Sequence, residues 1–237
     1  MSSTTEVAVP ETNTGLAVPM PAMWGDEDEV TASDIKMPEI RITQSNSVTS
    51  KEGISKEGDI NWIYGADDDA PVKLAGLGKT DNDSFVGYVL TREKFAATTA
   101  NDSMDFHPTP HRDPNDPKSW EGWFFYVAMP GVDEMVPARM MLWKSSKQAA
   151  QAINGFIQRA KMRGDNDPIA VRFTVARKAN DKGSWAIIKA AQVGLANVDQ
   201  SDLQVAKTQR PLAEAMILSR RSGGSSAPVA GADQPEV

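Results

Sequence analysis

The side chains of this 237-residue chain that could do chemistry are aromatic and basic, and they gather in its second half. Trp123, Phe124, Phe125 and Tyr126 follow one another without a break. Arg139, Met141 and Trp143 alternate with Val136, Ala138, Met140 and Leu142, and Arg172 and Thr174 alternate with Val171, Phe173 and Val175. Arg177, Lys178 and Lys182 surround a turn, and Trp185 and Lys189 follow it. Flat rings stack on nucleobases, each stack worth about 1–3 kcal/mol, and Arg and Lys meet phosphates. Interleaving the two is the chemistry of a surface that holds a single nucleic-acid strand without reading its sequence. The residues expected to carry it are Phe124, Tyr126, Arg139, Trp143, Arg172, Arg177, Lys178, Lys182, Trp185 and Lys189. Rings also build cores. On that reading the same aromatics form a second small core, under N-terminal strands or against a partner subunit. Four successive aromatics on a strand point to both faces, so which face is core stays open at this point.

Other candidate chemistry is thin. His107 and His111 are the only histidines, and Asp105 and Asp113 flank them. Two His and two Asp could ligate a metal and serve a small metal-dependent nuclease. However, the spacing crosses Pro108 and Pro110, so it is not the helical pair that brings two imidazoles together, and no metal is expected. GLGKT at 76–80 ends like a phosphate-binding loop but lacks its leading glycine. No Ser–His–Asp arrangement stands out. No catalytic residue and no cofactor are expected, and the chain does not read as an enzyme.

The formal charge of −7 argues against a polyanionic partner until its distribution is considered. Residues 1–35 hold seven acids and no Lys or Arg, whereas residues 139–189 hold eleven bases and three acids. An acidic tail beside a basic half-domain is the asymmetry expected when one surface meets a polyanion. The tail is then either a competitor for the basic face or a solubilising extension. There is no cysteine, which excludes disulfides and thiolate metal sites and is compatible with a reducing cytoplasm. No apolar run is long enough to span a bilayer, and no signal peptide is seen.

Elements that must position these residues can be read from periodicity. Strands are expected near 38–46 and 60–64, then at 84–91, 122–129, 136–143, 169–177 and 184–193. A long loop is expected over 97–120. Ala149, Ala152, Ile153, Phe156, Ile157 and Ala160 form one helical stripe. They predict a helix over 146–163, capped by Ser145 or Ser146 and ended by Gly164. A last helix is expected between Ser201 and Arg221, broken or started by Pro211. The order β-β-β-α-β-β predicts a mainly β fold, an OB-like five-stranded Greek-key barrel with its helix between strands three and four. The N-terminal strands would be accessory to it, or one of them would replace 84–91 as strand one; an ordinary α+β sheet gives the same order of elements. Residues 1–35 and 222–237 are expected to be disordered, with the barrel domain at 36–198 and a C-terminal helical segment at 199–221.

Three segments carry a family resemblance. MPEIRITQSNSVTSKEGISKEGDI (37–60), RMMLWKSSKQAAQAINGFI (139–157) and VRFTVARKANDKGSWAIIKAAQVG (171–194) resemble the opening, middle and last strand pair of phage single-stranded-DNA-binding proteins. The resemblance spans about half of the chain. It implies single-stranded DNA binding and protection in replication or recombination, in the host cytoplasm, with no membrane association. It also implies replication or recombination proteins as partners through the tails. The chain departs from that family in its weakly acidic C-terminal tip, ADQPEV; its acid block is N-terminal. A homo-oligomer is compatible with the pattern. The rival from another class is a virion structural or assembly protein that packs its aromatic face on a subunit.

Overall fold

The computed structural model of the protein describes residues 37–44, 56–64, 72–74, 84–99, 106–109, 111–181 and 183–222. The expectations for 1–35, for 223–237, for GLGKT and for Lys182 lie outside these residues.

The described chain is mainly β. Its strands are β1 (Glu39–Ile42), β2 (Ile60–Ile63), β3 (Val72–Lys73), β4 (Ser84–Thr99), β5 (Phe106–Thr109), β6 (Ser119–Met129), β7 (Asp133–Leu142), β8 (Ile169–Asn180) and β9 (Gly183–Gln192). Helix α1 spans Lys147–Met162 between β7 and β8, and α2 spans Gln200–Ser222. The strands form one sheet in the order β3-β2-β1-β7-β6-β4-β8-β9, with β5 paired on β4. Neighbours are antiparallel except β1 and β7, which run parallel at Glu39↔Arg139 and Ile40↔Met140.

Strand β4 gives the sheet its curl. Its first half pairs with β8 from Ser84 to Val89, and from Tyr88 onward it pairs with β6. The register shifts between Val89 and Thr91, a bulge of the kind that bends a strand and increases its twist. The result is a curled half-barrel compatible with a β barrel. β4 also runs to Thr99, well past the expected end at 91, and β5 stands inside the expected loop 97–120. Residues 92–99, REKFAATT, have modest strand propensity. Unbroken pairing from Thr91↔Tyr126 to Thr98↔Ser119 overrides it.

Two cores lie on the two faces of the sheet. Inside the curl, Phe85, Phe125, Val127, Met140, Leu142, Val171 and Phe173 pack with Trp62 and Ile40. α1 closes this core with Ala149, Ala150 and Ile153. Gly164, at φ 72°, ends α1 as expected. The expected cap differs: Ser146 precedes the helix without a side-chain cap bond, and its Oγ accepts from the Ile188 N–H at 3.5 Å. Outside the curl, Tyr88, Leu90, Phe124, Tyr126 and Ala128 pack under Ala206, Ala213 and Ile217 of α2. α2 runs unbroken through Pro211, because its apolar face is held by this packing on both sides of the proline. Buried Gln209 adds a bond from Nε2 to Asp133 O at 3.0 Å. The C-terminal segment therefore packs on the curled sheet as the cover of its outer core. No helix among the described residues is long and apolar enough to cross a membrane.

Candidate nucleic-acid interface

Alternation along β6 sends Trp123 and Phe125 to the inner core and Phe124 and Tyr126 to the outer one. The latter two are 4% and 0% exposed. The expectation that they offer open rings for bases is corrected here. α2 and the neighbouring rings occupy their faces, and the Tyr126 hydroxyl donates to Glu93 Oε2 at 3.3 Å. Both available partners for the four aromatics turn out to be cores.

Arg139 and Trp143 lie on the same outer face, on β7 and just after it. Arg139 stands across from Tyr126 and Glu39, with its guanidinium 4.9 Å from the Phe124 ring. It pairs with Glu39, which also takes Arg41 at 2.6 Å. Burial alone would push the Glu39 carboxyl up; the charges and hydrogen bonds of Arg139 and Arg41 outweigh it and hold the group below its ordinary range. Two guanidiniums share the Glu39 carboxylate, and Glu93 stands on the same face across from Phe124. Trp143 is half-buried and stacks on Trp120 with ring centroids 3.7 Å apart. Phe95 meets Trp120 edge-on at 5.6 Å. The Lys144 ammonium lies 4.3 Å from the Trp143 ring centre, and burial lowers its pKa. Lys144 adopts φ 39°, a left-handed conformation rare outside glycine, to bring its side chain there. Gly122 makes the cluster possible: a Cβ at that position would fall 2.6 Å from the Phe95 ring and 2.9 Å from Trp143 Cβ.

The β8–β9 hairpin gathers the other predicted cations. Arg172↔Ala191, Thr174↔Lys189, Ala176↔Ile187 and Lys178↔Trp185 are directly opposed, so these side chains share one face. Arg172, Lys178 and Lys189 are exposed and make no ion pair with any described residue. No acid stands in the row, which runs for about 20 Å from Arg172 to Lys178 at ~3.4 Å per residue. Trp185 is half-buried beside Lys178, and its indole N–H has no acceptor among the described residues. Arg177 points to the other face and donates to Glu57 O at 3.5 Å. The register places the rows of Tyr88, Ala128 and Ala170, which α2 covers, between the hairpin row and the Trp143 corner. The predicted residues therefore form two patches and a buried pair instead of one continuous platform.

Sequence reading missed a third group, on the inner-core face of β4 and β6 where it emerges beside α1. The Arg92 guanidinium lies 4.9 Å from the Trp123 ring and donates to Asn154 of α1. Lys94 pairs with Glu121 at 2.6 Å. The Lys94 hydrogen bond lowers the Glu121 carboxyl below its ordinary value; partial burial opposes it, and the charges of Lys94, Arg112 and Lys147 add to it. The signal was available as the alternation of Arg92 and Lys94, but only once the strand is extended past 91. Among the described residues no group of three or more His, Cys, Asp or Glu is placed to hold a metal. His111 is exposed, and its main-chain carbonyl accepts from Thr109 Oγ1.

No protein-family model, no curated protein and no solved structure matches this chain.

Proposed function

We propose that this chain binds single-stranded DNA with little sequence preference and without consuming nucleotide, as an OB-type protein serving replication or recombination in a bacterial virus. The observation that carries the reading is the outer face of the β8–β9 hairpin. There, three exposed cations, without an ion pair among the described residues, stand in a row with a half-buried tryptophan. Such a row costs self-repulsion in the free protein and offers a phosphate chain contacts at Arg172 and Lys189 on one side of buried Ile187 and at Lys178 on the other.

The strand pairing supports the OB reading. β4 pairs with β6 and β8, β6 with β7, and β8 with β9, with α1 between β7 and β8. On an OB barrel, ligands meet strands two and three and the loops joining strands one–two and four–five. In this assignment those are β6, β7, the segment around β5, and the hairpin turn. The Trp143 corner falls on such elements, the hairpin row runs along strands four and five toward their turn, and β1 is an added strand beside β7. Arg139, Arg172, Lys178 and Lys189 supply charge; Trp143 and Trp185 supply ring surface.

A mobility-shift titration with oligo-dT of mixed lengths, with and without divalent metal, tests the reading. Metal-independent binding supports it. No binding favours a virion assembly role, and metal-dependent cleavage favours a nuclease built on His107 and His111.

A further inference from the structure

We propose that Arg92, Lys94, Arg112 and Lys147 form a second polyanion-binding patch beside the N-terminus of α1, which takes the phosphodiester backbone of a single strand extending beyond the hairpin row. This rests on the single-strand reading above and adds a second contact surface to it.

The patch is built from three elements. Arg92 and Lys94 alternate on β4, about 6.8 Å apart on one face. Trp123 and Glu121 stand on the same face of β6, opposite Lys94 and Ala96. Lys147 opens α1, and Arg112 lies in the segment leading to β6. Lys94, Arg112 and Lys147 thus surround the Glu121 carboxylate, and Arg92 stands on the same face of β4 against Asn154 of α1. Among the described residues Arg112 and Lys147 have no ion pair, and Glu121 is engaged by Lys94 alone.

A structural role would pair these cations, and among the described residues only Lys94 of the four has an ion pair. The Lys94 and Glu121 side chains are 52% and 34% exposed. An ion pair that wet is worth little, too little to hold Lys94 against a phosphate. Arg92 differs from its neighbours: Asn154 and the Trp123 ring fix its guanidinium. A fixed planar fork loses less freedom on meeting a phosphate than a free side chain does. Half-buried Trp123 adds an aromatic wall beside the cations, which is what a strand with unpaired bases requires.

The test compares oligo-dT of about 6 and about 30 nucleotides, within and beyond the ~4–16 nucleotides one OB fold spans. Titrations at several salt concentrations use the wild-type chain, the double variant Lys94→Gln/Lys147→Gln, and Glu121→Gln. The expected result is that the double variant keeps the wild-type affinity for the short oligonucleotide. For the long one its salt slope falls by about 1.4, at about 0.7 per phosphate contact. Glu121→Gln, which removes the carboxylate that Lys94 pairs with, should tighten the long complex and leave the short one unchanged. An unchanged long-oligonucleotide slope in the double variant overturns the patch while leaving the single-strand reading intact. Equal losses on both lengths also overturn it as a separate surface. Failure of the wild-type chain to bind either length overturns both readings.

Discussion

The side-chain amide of Gln44 and the main chain of Ala186 bond each other twice: Nε2 donates to Ala186 O at 3.0 Å, and the Ala186 N–H donates to Oε1 at 3.1 Å. The partners are 142 residues apart in sequence. β1 ends at Ile42, so no ladder continues from it to β9; just past β1, a glutamine side chain imitates a peptide group and bonds the edge strand β9. Nearby, Thr43 N–H donates to Asp59 O at 2.8 Å, and Asn61 Nδ2 donates to Thr43 Oγ1 at 2.9 Å. The seam that holds the hairpin against β1 is therefore polar and buried.

Gln44→Ala should leave a buried N–H and a buried carbonyl at Ala186 without partners. Each such group costs about 1–3 kcal/mol, and the urea midpoint should fall accordingly. Amide exchange at Ala186 should accelerate more than at Phe125 in the centre of the sheet. Gln44→Glu keeps the acceptor but sets a carboxylate against a carbonyl, and should be at least as destabilising. Wild-type exchange at Ala186 in either variant would contradict the seam.

Tyr126 and Trp143 should separate core from surface. Tyr126→Ala removes a fully buried ring and should cost about 3–5 kcal/mol of stability. Trp143→Ala should leave the protein folded, and should weaken single-strand binding by about 1–3 kcal/mol with little change in salt slope. Loss of its stack on Trp120 adds about 0.5–1.5 kcal/mol of destabilisation. Paired chemical denaturation and binding titrations read both quantities; unfolding of Trp143→Ala would make that ring a core residue.

Arg172→Ala, Lys178→Ala and Lys189→Ala should each change stability by less than about 0.5 kcal/mol, since the side chains are exposed and unpaired with any described residue. Each should flatten the salt dependence of single-strand binding by about 0.7. Arg139→Ala should differ, because it leaves Glu39 with Arg41 alone and so lowers stability as well. Salt titrations beside thermal melts distinguish the two behaviours.

Burial pushes the Tyr88 hydroxyl up to about 12, and the Asp202 and Asp199 charges reinforce it. Its folded value lies above the ordinary 10.0, so the stability linked to it is intact below pH 10 and declines as pH rises toward 12. Tyr88 donates to Asp199 O at 3.3 Å, at the start of α2, so alkaline pH should loosen α2 first. Tyr88→Phe should flatten the alkaline limb of a urea-midpoint profile. An identical limb in both proteins would remove Tyr88 as its source.

Glu39 gives the opposite sign. Its carboxyl lies below the ordinary 4.5, so its contribution is complete above that value and is lost as pH falls through the lowered one. Glu39→Gln should make stability between neutral and acid pH less steep, measured by the same midpoints.

Periodicity determined much of this protein before any coordinates. The alternation at 169–177 and 184–193, the aromatic run at 122–129 and the stripe from Ala149 to Ala160 placed β6, β7, α1, β8 and β9 within a few residues. These signals are local, because a side chain's face follows from the two- or 3.6-residue repeat of its own element. The alternation of Arg139, Met141 and Trp143 against Ala138, Met140 and Leu142 assigned the faces of β7 correctly for the same reason. What lies on top of a face is not local. Phe124 and Tyr126 became core because α2, more than seventy residues further along the chain, packs on them. The eight residues added to β4 form a strand because β6 pairs with them, against their own propensity. Arg92 and Lys94 met Trp123, Glu121 and Lys147 through that added pairing, and Gln44 met Ala186 because the sheet curls. Sequence determined which faces exist; tertiary packing decided which of them are covered and which described cations find a described counter-charge.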